Sequence, residues 1–124
     1  MTVMVDVPAE ARSLRLLRLA AADAAAAAGF DMDRVETARL VMDELASVVM
    51  TDGGGRLRVS ITRNGDRTVQ LEGHLVGHAP TSVTPDFIVR ELLDASIGPG
   101  TWSVDQDAEQ LGFRASVGQR RRSD

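Results

Sequence analysis

The hydrophobic period of this chain changes repeatedly, and the order of those changes restricts its possible folds more than any single residue does. Residues 2–7, TVMVDV, alternate apolar and polar side chains with β-branched members, so a strand is expected up to Pro8. From Ala9 to Ala28 the sequence consists of strong helix formers, with Leu14, Leu17 and Ala21 at helical spacing, until Gly29 ends the run. A second helical run follows, for which Asp31 or Asp33 can serve as N-cap. Its apolar positions Val35, Ala38, Val41, Met42, Leu45, Val48 and Val49 gather on one broad face at about 100° per residue. Asp52-Gly53-Gly54-Gly55 breaks it.

Period two then returns. Leu57, Val59 and Ile61 alternate with polar residues, as do Val69, Leu71 and Leu75, and Asn64-Gly65 between the runs is a hairpin turn sequence. Residues 77–85, GHAPTSVTP, have no period and form a loop. Asp86 can cap a shorter helix with Ile88, Val89, Leu92 and Leu93 inward, ending near Gly98-Pro99-Gly100. Trp102 and Val104, then Leu111, Phe113, Ala115 and Val117, make a last pair of strands, and residues 119–124, QRRRSD, form a frayed basic tail. The expected architecture is a two-layer α/β sandwich, a mixed, mostly antiparallel sheet covered on one face by helices, in a single domain over residues 1–118. There is no internal repeat.

Composition narrows the functional classes. With 124 residues and 44% hydrophobic content the chain supports one domain with one core. The 18 acidic and 14 basic residues give a net charge of -4, which offers no general attraction to nucleic acid or an anionic membrane. All basic residues are arginine, and cysteine is absent, which excludes disulfides, thiolate metal sites and a Cys nucleophile and fits a reducing cytoplasm. No 18-residue apolar run or basic leader is present, so a cytoplasmic location is expected.

Few residues stand out chemically. Glu44 interrupts the apolar face of LVMDELASVVM at 40–50, one turn before Val48, while Asp43 points away from that face. It reads either as a border carboxylate, solvated or paired with Arg39 or Arg56, or as a general base. His74 and His78 are four apart but lie on a strand running into a loop, where that spacing does not converge on a metal, so no metal site is expected. Gly53-Gly54-Gly55 lacks the Gly-Lys-Ser/Thr of a phosphate loop and reads as a connector. Arg12, Arg15 and Arg18, interleaved with leucines, are expected to lay their stems along the core's edge. Arg120-Arg121-Arg122 would give only loose, salt-sensitive phosphate contacts.

The element order, and above all AGFDMDRVETARLVMDELAS at 28–47, resemble the histidine-kinase-like ATPase domain family, in particular the small stand-alone anti-sigma-factor serine kinases. The likeness runs from about Arg12 to Val117. In that family a Glu on the second helix is the general base and an Asn four residues later binds the magnesium that bridges the ATP phosphates. Glu44 falls on the base position and Val48 on the asparagine position, and a valine offers no lone pair to a hard cation; the polar residue often found four further along corresponds to Asp52. The family's adenine-binding Asp would fall near Gly73 or Leu75, where QLEGHLVGHAP has no aspartate; Ser96-Ile97-Gly98-Pro99-Gly100 echoes that motif but follows a helix and reads as a turn. The glycine-rich phosphate lid corresponds to SVTPDFIVREL, which has no glycine, loses a donor at Pro85 and places Asp86 where phosphate would sit.

The resemblance therefore implies a relative with a degenerate nucleotide site: a non-catalytic, protein-binding regulator of transcription, needing neither ATP nor magnesium, with Glu44 a vestige of the base. Its partner would be a sigma factor or an anti-sigma antagonist, with Arg18, which aligns with an exposed first-helix arginine of the family, and Arg15 as candidate contacts; a homodimer stays open. The alternatives are an active ATP- and magnesium-dependent serine/threonine kinase acting on an antagonist protein, and a vacated pocket, lined by residues such as Val48, that takes a small apolar ligand.

Overall fold

Two consecutive amphipathic helices inserted between β-strands can bury their apolar faces only by lying side by side across one face of a sheet. The computed structural model, which describes residues 1–50, 54–64, 67–77, 83–106 and 110–119, has that arrangement. Strand β1 (Thr2–Pro8) leads through a 3-10 turn (Ala11–Ser13) into α1 (Leu14–Ala27) and α2 (Met32–Val49). Strands β2 (Arg56–Asn64) and β3 (Thr68–Val76) form a hairpin, α3 (Phe87–Ile97) follows, and β4 (Trp102–Gln106) and β5 (Leu111–Gly118) end the fold. The sheet order is β1-β2-β3-β5-β4. All four neighbouring pairs are antiparallel, so the sheet is not mixed: the two-helix connection returns the chain beside β1 in the opposite direction.

The helix boundaries follow from local chemistry. Gly29, at φ 88°, lets the chain leave α1 through a Schellman turn in which the Phe30 amide bonds the Ala25 carbonyl and the Gly29 amide that of Ala26, both at 3.0 Å. Of the two candidate caps for α2 it is Asp31 that accepts, from the Arg34 amide at 3.0 Å. Helix α1 begins later than the run of helix formers suggested, because Ala11–Ser13 wind as a 3-10 turn. In the hairpin Asn64 pairs with Thr68, and Arg67 stands at φ 63°; Gly65 lies outside the described residues, as do Asp52, Gly53, His78 and residues 120–124.

The core lies between the helices and one sheet face. Leu17, Ala21 and Ala25 of α1 and Ala38, Val41, Met42, Leu45 and Val49 of α2 are buried against Leu57, Val59, Ile61, Val69, Leu71, Ala115 and Val117. The alternate residues Arg58, Gln70, Glu72 and Arg114 are exposed on the opposite face, so β2, β3 and β5 have the expected half-buried pattern, whereas β1 is exposed apart from Val5 and Val7. Helix α3 departs from expectation. Leu93 is buried and Val89 partly so, but Ile88 is 75% exposed. Ile88 lies five residues from Leu93, about 140° around the helix, so the two cannot share an inward face. Of the arginines expected at the core's edge, Arg12 in the 3-10 turn pairs with Glu10 at 3.0 Å and Arg18 of α1 with Asp43 at 2.7 Å.

Arg34 ties these layers together. It is only 7% exposed; its Nε donates to the Gly118 carbonyl at 2.9 Å and its Nη1 to the Ser96 carbonyl at 3.0 Å, joining the start of α2 to the ends of β5 and α3. Gln119 is anchored at the same corner, its side-chain oxygen accepting from the Asp31 amide at 3.3 Å and its own amide donating to the Arg67 carbonyl at 3.2 Å, so the expected tail does not begin there. Replacing Arg34 with Met removes the donors of two carbonyls in one step. The expected loss is about 3 kcal/mol, or on the order of 10 °C in melting temperature, against under about 0.5 kcal/mol for Arg39→Met on the surface; urea and thermal unfolding followed by circular dichroism measure both.

Candidate functional site

Helix α2 places Asp43 and Glu44 on opposite flanks, because successive residues differ by about 100°. Asp43 turns to α1, where it pairs with Arg18. Glu44 turns toward α3 and is half-buried. Burial pushes its carboxyl above the ordinary 4.5, and the charges of Asp43 and Asp86 push it the same way. Neither arginine expected beside it serves it: Arg39 pairs with Glu36 at 3.5 Å and Arg56 with Asp6 at 2.6 Å. Val48, one turn on, is half-buried on the same flank, so Glu44 has a hydrocarbon for its neighbour along the helix.

The other positions drawn from the resemblance are filled by other chemistry. Asp86 accepts from the Val89 amide at 2.9 Å, so the N-terminus of α3, where a phosphate would find free amides, is capped by the chain's own carboxylate. Gly73 is buried, and a Cβ built on it would stand 2.4 Å from Cε2 of Phe113 and 2.7 Å from Cζ. Gly73 pairs with Phe113 across β3 and β5, and the phenyl ring occupies the space of the missing side chain. Leu75 is 6% exposed and belongs to the core. Ser96 to Gly100 are the end of α3 and the turn after it, with Gly98 at φ 94° and Gly100 at φ 82°.

Arg15 is exposed on α1 beside Leu16 and Leu19, which are also exposed, whereas the guanidinium of Arg18 is engaged by Asp43. Sequence reasoning missed the pair Phe87 and Ile88, 74% and 75% exposed on the first turn of α3. Centring the helix on Leu93 would have found them, since both lie well away from it around the axis. Two adjoining depressions of about 340 and 390 Å³ cross the open sheet face and share Glu72 and Arg114. Those two side chains lie 3.8 Å apart and offset one another's charge. Among the described residues no group of His, Asp and Glu is arranged to hold a metal ion, and no helix is long and apolar enough to cross a membrane. The chain matches no protein-family model and no curated protein.

Two consequences can be measured. Gly73→Ala should cost about 1–3 kcal/mol in urea unfolding, because the ring must shift in a close-packed layer, and adding Phe113→Leu should recover part of it. For Glu44 the fold favours the protonated acid, so stability attributable to it falls as pH rises from 4.5 through the raised value. Glu44→Gln should therefore melt higher than the parent near about pH 7, with the difference vanishing near about pH 4.

Proposed function

We propose that the chain is a regulatory domain of the histidine-kinase-like ATPase fold that works by binding a protein partner in transcription control, without nucleotide. The observation that carries this reading is the capped start of α3. A phosphate chain held there would meet Asp86, with Glu44 facing it across the α2–α3 gap, where transfer chemistry needs cations and free amides. Val48 and the Phe113 ring over Gly73 support it independently, since one removes the metal ligand and the other fills the place of an adenine-binding carboxylate. The partner suggested by the resemblance is a sigma factor or its antagonist, and the outward strip of α1 with Arg15, Leu16 and Leu19 is the surface it would use.

An ATP-dependent serine/threonine kinase is the second reading. The raised carboxyl of Glu44 favours it, that being the direction in which a general base is tuned. Magnesium-ATP at millimolar concentration separates the two. The binding reading expects no rise in melting temperature and no heat of binding, for the parent and for Val48→Asn alike. A saturable site of about 0.1 mM or tighter would raise the melting temperature and overturn it. Affinity purification with mass spectrometry tests the partner class: a sigma factor or antagonist is expected, retained more weakly by Arg15→Glu.

A further inference from the structure

The corner where the end of α1 meets the β2–β3 hairpin carries two arginines that face no carboxylate among the described residues. A depression of about 400 Å³ there is lined by Met1, Ala27, Ala28, Arg63, Asn64 and Arg67, none of them acidic. Arg12, Arg18, Arg39, Arg56, Arg58 and Arg114, by contrast, each face a carboxylate at 3.8 Å or less. The Arg63 guanidinium is used on one side. Its Nη1 donates to the Ala27 carbonyl at 2.8 Å, which offsets the negative end of α1 and orients the group. Nε and Nη2 lie on the other edge, where their N–H bonds run parallel and form the fork that grips an oxyanion with two hydrogen bonds. On that edge Nη2 has only the Met1 thioether at 3.6 Å, a weak acceptor, and the buried Nε has no hydrogen-bond partner among the described residues. A buried donor in that condition is uncommon and costly, and it points to an acceptor from outside the chain.

Arg67 brings a second cation to the same depression, on a backbone at φ 63° that glycine would adopt without strain. Its carbonyl accepts from the Gln119 amide at 3.2 Å, which holds that conformation in place. We propose that this corner binds a phosphomonoester dianion, gripped by the Nε and Nη2 fork of Arg63 and neutralised by Arg67. Two positive charges match a dianion, whereas a carboxylate would use only one. Entry requires the Met1 side chain to swing off the fork. Met1 is 78% exposed, and its backbone stays paired, since its carbonyl accepts from the Arg63 amide at 3.0 Å. Residues 28–31 join this end of α1 to the start of α2, so the corner lies at the opposite end of α2 from Glu44, about 18 Å along the helix. The inference is therefore independent of whatever the α2–α3 gap binds. Asp66, next to Arg67 in sequence, lies outside the described residues and is tested directly.

The test is titration of the full chain with inorganic phosphate at about pH 8, ionic strength held constant with sodium chloride, read by calorimetry and by the arginine Nε–H signals in NMR. Saturable binding of about 1 mM or tighter is expected, with the Arg63 signal moving downfield and acetate about tenfold weaker or worse. Arg63→Lys keeps the charge without the fork and should weaken phosphate about tenfold or more. Arg67→Gly should weaken it comparably while melting within a few degrees of the parent, because glycine suits that backbone. O-phosphoserine in a short peptide, bound more tightly than glycerol 3-phosphate, would place the group on a partner protein; the reverse order would place it on a small molecule. An unmoved Arg63 signal, or either arginine variant binding as the parent does, overturns the proposal. Binding that appears only in Asp66→Asn shows that the chain fills the corner itself, and binding abolished by replacing Arg120, Arg121 and Arg122 with Ser assigns it to the tail; each overturns it equally.

Discussion

The arrangement rests on one buried cation. Arg34 has no freedom to be solvated where it sits, so the Gly118 and Ser96 carbonyls it serves are fixed relative to the first turn of α2. Those carbonyls end β5 and α3, at 84 and 62 residues from Arg34 along the chain. A guanidinium suits the task because its donors diverge in a rigid plane and can bind two elements at once, as an ammonium on a flexible stem could not. Because Arg34 fixes the far end of α3, the near end is placed as well, and with it the approach of Asp86 to Glu44.

That approach gives the α2–α3 gap its character. The charge of Asp86 bears on Glu44 there, and the local anion attractor, the N-terminus of α3, is already satisfied by Asp86. A helix start capped in this way gains stability from the same amides that a phosphate site would need, so firm placement of α3 and anion binding compete for one set of donors.

The sequence made the architecture readable because each element had its own period and punctuation. Gly29, Asp31, Asp86 and Gly98 end or begin helices where their chemistry says they should, and Leu57 through Val117 alternate as a one-sided sheet demands. Facing was read well where burial was continuous, as on α2, and badly where a helix touches the core along a single line. Ile88 has the same local signature as Val89, and only the position of Leu93 separates them. Tertiary partners were not legible: nothing local says that Arg34 is buried, that Asp43 is matched by Arg18, or that Phe113 covers Gly73. At the positions that the resemblance singles out, the residue types were legible, and what packs against them was not.

The single tryptophan of the chain has a use that follows from its one polar contact. Trp102 leads an edge strand, and its indole nitrogen is held by Asp94 on α3, while the rest of the core contains no other strongly fluorescent side chain. Intrinsic emission therefore reports the docking of α3 on the sheet edge rather than the melting of the α1–α2 pair. A probe of helical content such as circular dichroism weights all three helices. If the third helix opens as a separate cooperative unit, the two transitions will part, and their offset gives the local stability of α3 without any label.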